Sequence, residues 1–256
     1  MTVQAAFPVV RIASKTDIIA AAERLQEVAM ALANLRVSAV DNIASDRFMF
    51  DADGNQINEC VFGWSAPEER WWEIKSVTFF SPATIGARYE GEPFWCNNAG
   101  FTTRSPNPAL LSVDTSKIEE FTGRKAAIVV PVHLPFGRIA AVGFHPEDPD
   151  CDDLSAEYEE YAELLEPLAR SFIIDYVKAT ETQCPTEAHM LLNPREVECL
   201  QWAAGGKTDS EIATIIARSH ATIRFHIRRA MEKLDAVNRS QAIFKAAQLG
   251  YLPRFR

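Results

Sequence analysis

The chain has 256 residues, a formal net charge of -9 at pH 7, 47% hydrophobic residues and 24% charged residues. This composition is close to that of folded globular proteins and argues against disorder and fibrous repeats. The N-terminal stretch lacks the pattern of a secretion signal, and no uncharged run approaches the roughly 20 residues that a membrane span needs, so we expect a cytoplasmic protein. Five cysteines without a CxxC pair predict neither a disulfide framework nor a zinc site.

The first third of the chain predicts one helix followed by short strands. In residues 16–35, TDIIAAAERLQEVAMALANL, apolar side chains recur with the spacing of a helix. The segments RVSAV, RFMF and ECVFGW are rich in strand-forming residues, and the last two flank the turn sequence DADGN. The predicted apolar stripe of the helix comprises Ile18, Ile19, Ala22, Leu25, Ala29 and Leu32.

The middle of the chain predicts a β-hairpin and a long helix. Residues 126–144, AAIVVPVHLPFGRIAAVGF, are typical of two strands joined by a short loop that contains Pro135 and Gly137. After an acidic loop, residues 154–177 have the pattern of a helix, with Pro167 placed where it can kink that helix. Strands between helices indicate an α/β domain of the size of a sensor rather than a doubly wound enzyme.

Charge divides the chain into two parts. Residues 190–256 hold 11 Lys and Arg against 6 Asp and Glu, whereas the preceding residues hold 15 against 29. Just before the change, the polar segment KATETQCPTEAHM contains a proline and has no apolar period, which is typical of a linker. The sequence therefore predicts a sensor domain at residues 1–178, a linker at 179–189 and a basic domain at 190–256.

The basic domain predicts four helices, because capping residues mark their ends. Ser219 is the expected N-cap of the third helix, and Gly205, Gly206 and Gly250 are placed to end helices. The N-termini of the other three helices carry capping boxes, in which two side chains bond each other's backbone N–H groups. The predicted boxes are Asn193 with Glu196, Thr208 with Glu211, and Asn238 with Gln241.

The third of these helices, HATIRFHIRRAMEKL at residues 220–234, predicts one buried stripe and one basic face. On the basic face Arg224 and Arg228 lie four residues apart, beside the small Ala221. A short helix, a tight turn and a second helix with a basic exposed face are typical of a helix-turn-helix. Guanidinium groups bond guanine edges in the major groove. For this role the Arg224 and Arg228 side chains must both point outward, and neither can be held by a carboxylate. The buried stripe comprises Ile223, Ile227, Ala230, Met231 and Leu234.

A further set of residues is placed to contact DNA phosphates, because helix starts and edges bring amides and cations to an anion. The alternative is that these charges only solvate an amphipathic helix. Three capping boxes, the local excess of cations and the absence of acidic residues between Glu211 and Glu232 favour DNA. The predicted phosphate contacts are Lys207, Thr208, Thr222, Arg229, Lys233, Asn238 and Arg239.

The segments LNPREVECLQWAAGGKTDSEIATII and TIRFHIRRAMEKLDAVNRSQAIFKAAQLGYL resemble the C-terminal DNA-binding domain of LuxR-type transcription regulators. The resemblance implies that Arg224 and Arg228 contact bases. It departs in the turn, where the family usually has glycine and then an aliphatic residue but this chain has Ala217 and Arg218, and alanine is less suited to a positive φ. The residues that match the family pattern are Glu196, Leu200, Gly206, Lys207, Glu211, Ile212, Ala213, Thr222, His226, Lys233, Leu234 and Ala242.

By the same resemblance the N-terminal domain is expected to be an autoinducer-binding domain, an α-β-α sandwich with an antiparallel sheet that can hold an acyl-homoserine lactone. SPATIGARYEGEPFW, residues 81–95, is similar to the segment with the family's Asp-Pro and pocket tryptophan, so Trp95 is expected to bond the lactone carbonyl. Ser81 stands where the aspartate is expected, and its hydroxyl accepts a weaker bond from the ligand's amide than a carboxylate would. Trp72 and Tyr89 are the other pocket candidates.

Alternatives to a lactone sensor remain open. Because Ser81 replaces the expected aspartate, the alternatives are a regulator of the same type that needs no ligand, or one that answers another small molecule or a partner protein. A phosphorylated receiver domain is not indicated, because its set of aspartates and lysine is not found. His133, His145 and the acidic loop could be imagined as a catalytic or metal group, but their spacing is loose, so we expect no enzyme, no metal and no cofactor. Trp64 and Trp71 are expected to pack in the core.

A homodimer is expected from the geometry of DNA. One helix reads only a few base pairs, and two arms about 34 Å apart read both halves of an inverted repeat. The helix of residues 154–177 is the candidate for the contact between the two sensor domains.

Overall fold

The computed structural model describes residues 11–45, 48–65, 81–180 and 191–252. The chain divides into two compact units, one of residues 1–134 and 138–182 and the other of residues 183–256 with 135–137. The predicted linker lies outside the described residues, except for residues 179 and 180, which end a helix. Within the described part of the chain, no helix is long and apolar enough to cross a bilayer.

The first unit contains five helices and five strands among its described residues, besides short 3-10 turns. In chain order they are α1 (Ile18–Ala33), β1 (Leu35–Val40), α2 (Ile57–Cys60), α3 (Pro82–Tyr89), β2 (Phe94–Asn97), β3 (Gly100–Thr103), α4 (Ile118–Thr122), β4 (Ala126–His133), β5 (Ile139–Pro146) and α5 (Ser155–Thr180).

The strands form one antiparallel sheet in the order β1-β5-β4-β2-β3. Successive side chains of a strand point to opposite faces, so the two faces bury different residues. Helices α1 and α5 cover the face that buries Val37, Ile128 and Phe144, and α3 covers the face that buries Phe94 and Val129. The predicted α-β-α sandwich with an antiparallel sheet is confirmed.

Helix α1 follows the predicted stripe. Ile18, Ala22, Leu25 and Ala29 are buried against the sheet and α5. The helix ends at Asn34, which adopts a left-handed conformation with φ of +52°, and asparagine tolerates this conformation better than most residues.

Two of the predicted strands, RFMF and ECVFGW, are wrong. The described part of the first makes a single bridge, between Phe50 and Gln56, and the second begins in α2 and continues as a turn. The reason is that side chains take the place of a neighbouring strand along β1. The amide group of Asn58 accepts from the N–H of Ala39 and donates to its carbonyl, both at 2.9 Å. The indole N–H of Trp64 donates to the carbonyl of Val37 at 2.6 Å.

The predicted hairpin and long helix are confirmed. Strands β4 and β5 pair in antiparallel register, with Ile128 opposite Phe144 and His133 opposite Ile139. Helix α5 continues through Pro167 for a total of 26 residues, and its buried side includes Leu165 and Phe172.

The second unit is helical among its described residues. It contains α6 (Pro194–Ala204), α7 (Asp209–Ile215), α8 (His220–Lys233) and α9 (Arg239–Gln248), which confirms the four predicted helices. Two adjoining clusters make its core. One joins Leu200 to Ala230 and Ala242, and the other joins Cys199 to Ile223.

Candidate functional site

Helices α6 and α7 begin with complete capping boxes. The Asn193 side chain accepts from the N–H of Glu196 at 2.9 Å, and the Glu196 carboxylate accepts from the N–H of Asn193 at 2.8 Å. Thr208 and Glu211 exchange the same pair of bonds at 3.3 and 2.8 Å, and the bonds that Thr208 donates lower the pKa of the Glu211 carboxyl. Both predicted boxes are therefore confirmed, and they fix the two helices locally.

The third predicted box is only half formed. The Asn238 side chain accepts from the N–H of Gln241 at 2.8 Å, as predicted. The side-chain oxygen of Gln241 does not return to Asn238, however, because it accepts from the N–H of Val237 at 2.7 Å. Ser219 caps α8 as predicted, by accepting from the N–H of Thr222 at 3.1 Å.

The turn between α7 and α8 contains a positive φ at a residue that is not glycine. Ala217 adopts a positive φ of +51°, where the family usually has glycine. The N–H of Arg218 donates to the carbonyl of Ala213 at 3.0 Å, which closes the end of α7. The alanine is thus accommodated, at the conformational cost that a Cβ atom adds in this region.

Helix α8 presents the predicted basic face to solvent. Ile223, Ile227 and Ala230 are buried on one side, while Arg224 and Arg228 are exposed on the other. Within residues 191–252, no hydrogen bond or ion pair engages the Arg224 side chain. Its guanidinium group therefore meets both conditions set by the sequence.

Arg228 meets only one of these conditions. Its side chain is 79% exposed, but its Nε bonds the carboxylate of Glu232 at 3.0 Å, and Arg229 bonds the same carboxylate at 2.9 Å. These bonds, first from Arg228 and then from Arg229, lower the pKa of Glu232. Exposed pairs of this spacing contribute only about 0.3–0.5 kcal/mol, so a DNA acceptor can displace the carboxylate.

Two predicted phosphate contacts are engaged inside the unit instead. The Lys233 ammonium, which was predicted to contact a phosphate, bonds the Glu196 carboxylate at 2.8 Å and the Leu191 carbonyl at 3.0 Å. The Arg239 guanidinium bonds Asp209 at 2.5 Å and the carbonyl of Lys207 at 2.5 Å. These contacts join helix termini that are far apart in sequence, which single-helix reasoning does not reveal.

The remaining predicted phosphate contacts lie at the surface or close to it. Lys207, Thr208, Arg229 and Asn238 are exposed, and Thr222 is partly exposed in the first turn of α8. These residues lie at the start of α7, at the start of α9 and on α8.

The first unit contains a small cavity between α3 and the sheet. Its volume is about 50 Å³, and it lies where Ser81 begins α3, beside Ser38, Thr84 and His145. Ser81 is buried, and its carbonyl accepts from the Thr84 hydroxyl at 2.9 Å. The sequence-predicted Ser81 therefore lines a cavity, with neutral polar groups around it.

Two other predicted pocket residues, Trp95 and Tyr89, do not line this cavity. Trp95 is paired with Ile128 in the sheet and points to the opposite face, among residues packed against α1 and α5. Its indole N–H is buried without an acceptor among the described residues. Tyr89 is exposed at the end of α3, so its predicted place in the pocket is not supported. Trp72 and Trp71 lie outside the described residues, and Trp64 is buried in the core as predicted.

His145 is a cavity residue that the sequence analysis missed. Its Nε2 and the Ser38 hydroxyl are 2.9 Å apart, above Gly143, where a Cβ atom would lie only 2.6 Å from the same hydroxyl. Burial, with Arg124 and Arg36 nearby, lowers the pKa of His145 to about 3, so its imidazole is neutral at pH 7. The available signal was the small residue at position 143, two places before the histidine on the same strand. The described residues include no group of His, Cys, Asp and Glu arranged to bind a metal.

Comparisons with known proteins agree with this architecture. Residues 190–246 match the family model described as bacterial regulatory proteins, luxR family. The HTH-type quorum sensing-dependent transcriptional regulator RpaR of Rhodopseudomonas palustris is 36% identical over 193 residues, which cover 74% of this chain and 73% of that protein. The transcriptional activator protein VanR of Vibrio anguillarum is 38% identical over 130 residues, which cover 51% of this chain and 53% of VanR.

A solved structure shares the fold over nearly the whole chain. The structure of SdiA in complex with octanoyl-rac-glycerol has a TM-score of 0.52 at 17% identity, with 98% of this chain and 96% of that chain covered. This likeness concerns the fold alone.

Proposed function

The chain belongs to the LuxR family of bacterial regulatory proteins and carries the helix-turn-helix DNA-binding domain of that family, and we propose that it binds an inverted-repeat DNA as a homodimer. The observation that carries this proposal is the exposed side of α8, where Arg224 and Arg228 point away from the core. Two copies of this helix about 34 Å apart would read the two halves of the repeat.

We assign different tasks to the cations of the second unit. Arg224 and Arg228 would read guanine edges, and Arg228 would exchange Glu232 for the DNA. Phosphates would be held by residues at helix starts and on the exposed side of α8, which position the protein without selecting a sequence. These proposed phosphate contacts are Lys207, Thr208, Thr222, Arg229 and Asn238.

We assign the first unit a sensor role, with residues 1–178 as the sensor domain, 179–189 as the linker and 190–256 as the DNA-binding domain. The cavity beside Ser81 supports a small-molecule ligand such as an acyl-homoserine lactone. The indole N–H of Trp95, which has no acceptor among the described residues, lies on the other face of the sheet and would not contact a ligand in this cavity. About 50 Å³ is far below the roughly 300 Å³ of a typical ligand site, so binding requires the cavity to enlarge. A cytoplasmic location follows from the DNA partner.

A different small molecule is the second candidate, and Ser81 favours it. Among the described residues that line the cavity, the polar side chains are hydroxyls and a neutral imidazole, with no carboxylate. A ligand amide would therefore gain a weaker bond here than from an ionised acceptor. A regulator that works without a ligand remains the alternative to both.

The test is a selection of duplexes from a random DNA library by the full-length protein, with and without a panel of acyl-homoserine lactones. We expect an enriched inverted repeat with half-sites about one helical turn apart. Enrichment of no sequence would contradict the DNA-reading role, and an enriched site without symmetry would contradict the dimer. Thermal stability and DNA affinity that stay flat across the lactone panel would contradict that ligand class. Native mass spectrometry of the protein from its own cells would then identify any retained molecule.

A further inference from the structure

An exposed aromatic ring lies at the centre of the DNA-facing side of α8. Phe225 is 60% exposed, and at 3.6 residues per turn its position is opposite the buried Ile223 and Ile227. Ala221, four residues earlier, is exposed beside it. The centre of this face is therefore apolar, although arginines flank it.

Phe225 contributes little to the fold of its own unit. The two hydrophobic clusters formed by the described residues of this unit do not include it. Its ring meets the ring of His226 edge-on, with the centroids 5.5 Å apart. Since Ile223 and Ile227 already hold α8 to the core, the phenyl ring is available for a partner.

We propose that Phe225, together with the methyl group of Ala221, reads the 5-methyl group of a thymine in each half-site. This inference rests on the proposed function of α8 as the base-reading helix. Thymine is the base that presents an apolar methyl group in the major groove, and Phe and Ala side chains are suited to contact it. Arg224 and Arg228 recognise hydrogen-bond acceptors and do not sense this methyl group.

The position of the thymine follows from the helix rise. Phe225 is one residue from Arg224 and three from Arg228, which is about 1.5 and 4.5 Å along the axis of α8. Base pairs are stacked about 3.4 Å apart, so the thymine is expected within about two base pairs of the guanine that Arg224 contacts. The flanking cations favour DNA over an apolar protein surface, because such a surface would leave the Arg224 guanidinium group without an acceptor.

Uracil offers a direct test, because it lacks only the methyl group and keeps the hydrogen-bonding edge of thymine. Each thymine of the selected duplex is replaced singly by deoxyuridine, and the affinity of the full-length protein is measured. We expect one position per half-site at which affinity falls about fourfold, the loss for one methyl-sized group withdrawn from contact. The Phe225→Ala variant should bind the thymine duplex and the uracil duplex with about equal affinity, because the ring that contacts the methyl group is absent.

Two variants separate this role from general damage. Phe244→Ala removes a ring that is equally exposed, at 60%, on α9, and it should keep the fourfold preference for thymine whatever its overall affinity. Phe225→Leu keeps an apolar side chain and should keep part of the preference. If every thymine tolerates uracil, or if Phe225→Ala still discriminates fourfold, the inference is overturned while the proposed function stands. If no duplex is selected at all, the proposed function fails and this inference fails with it.

Discussion

Lys233 of α8 and Glu196 of α6 form an ion pair of 2.8 Å that joins the arginine-bearing helix to the first helix of its unit. The Glu196 carboxylate is 2% exposed and the Lys233 side chain 19%. The same carboxylate accepts from the N–H of Asn193, so one buried group caps α6 and anchors α8. The orientation of the arginine face thus depends on a contact that is not part of that face.

Lys233→Met should destabilise the protein by about 3 kcal/mol, because it leaves the buried Glu196 carboxylate without its cation. Denaturant unfolding monitored by circular dichroism measures this change. Arg229→Ala is the matched control, since its pair with Glu232 is exposed and should cost less than about 0.5 kcal/mol. If Lys233→Met leaves the stability unchanged but weakens binding to every duplex, Lys233 instead contacts a phosphate, as the sequence predicts.

Glu232→Gln should tighten binding to any duplex by roughly two- to tenfold, because it releases Arg228 and Arg229 and removes a negative charge facing the phosphates. Fluorescence anisotropy at several salt concentrations measures the effect. Glu198→Gln, which breaks the pair with Arg195 on α6, is the control and should leave affinity unchanged. Equal affinities of the Glu232→Gln variant and the unaltered protein would show that the carboxylate does not compete with DNA.

Ala217→Gly should stabilise the protein by about 0.5–1 kcal/mol, because glycine adopts the positive φ of this turn without the strain of a Cβ atom. A rise in Tm measured by calorimetry checks this. The same replacement at Ala213, inside α7, should destabilise by about 1 kcal/mol. A drop in Tm for Ala217→Gly would mean that the entropy of the unfolded glycine outweighs the strain.

Acid should weaken the first unit through His145. Its pKa is about 3 in the folded protein, whereas an unfolded histidine has a pKa of about 6.5, so only the unfolded chain takes up this proton between those values. Above pH 6.5 this group therefore does not reduce the free energy of unfolding. Below that pH it lowers the free energy of unfolding by up to about 1.4 kcal/mol per pH unit. Unfolding free energies at pH 6.5 and 5 measure the slope, and His145→Gln should flatten it. An equal slope in both proteins would assign the acid sensitivity to other groups.

Local signals made most of the second unit predictable. Caps such as Asn193 and Ser219 act within three residues, so the helix starts could be found without tertiary information. The engagement of Lys233 could not be predicted in this way, because its partners Glu196 and Leu191 are 37 and 42 residues away in the chain.

The first unit was harder to predict for two reasons. Side chains take the place of a neighbouring strand along β1, and successive residues of a strand point to opposite faces of the sheet. Asn58 pairs with β1 through its amide group, so a segment with strand-like composition became a short helix. Ser81 and Trp95 belong to one segment that resembles the family, yet the register of β2 turns Trp95 to the other face of the sheet. A one-residue change of register decides such an outcome, and composition does not reveal it.

The most direct measurement of the central claim compares the unaltered full-length protein with Arg224→Ala on two duplexes of equal length, the selected repeat and a scrambled sequence. If Arg224 reads a base, the variant should lose about 1–3 kcal/mol on the selected duplex, or roughly 5- to 150-fold in affinity, and little on the scrambled one. Equal losses on both duplexes would show that this guanidinium group serves only as a phosphate contact, and the account of α8 as the base-reading helix would be contradicted.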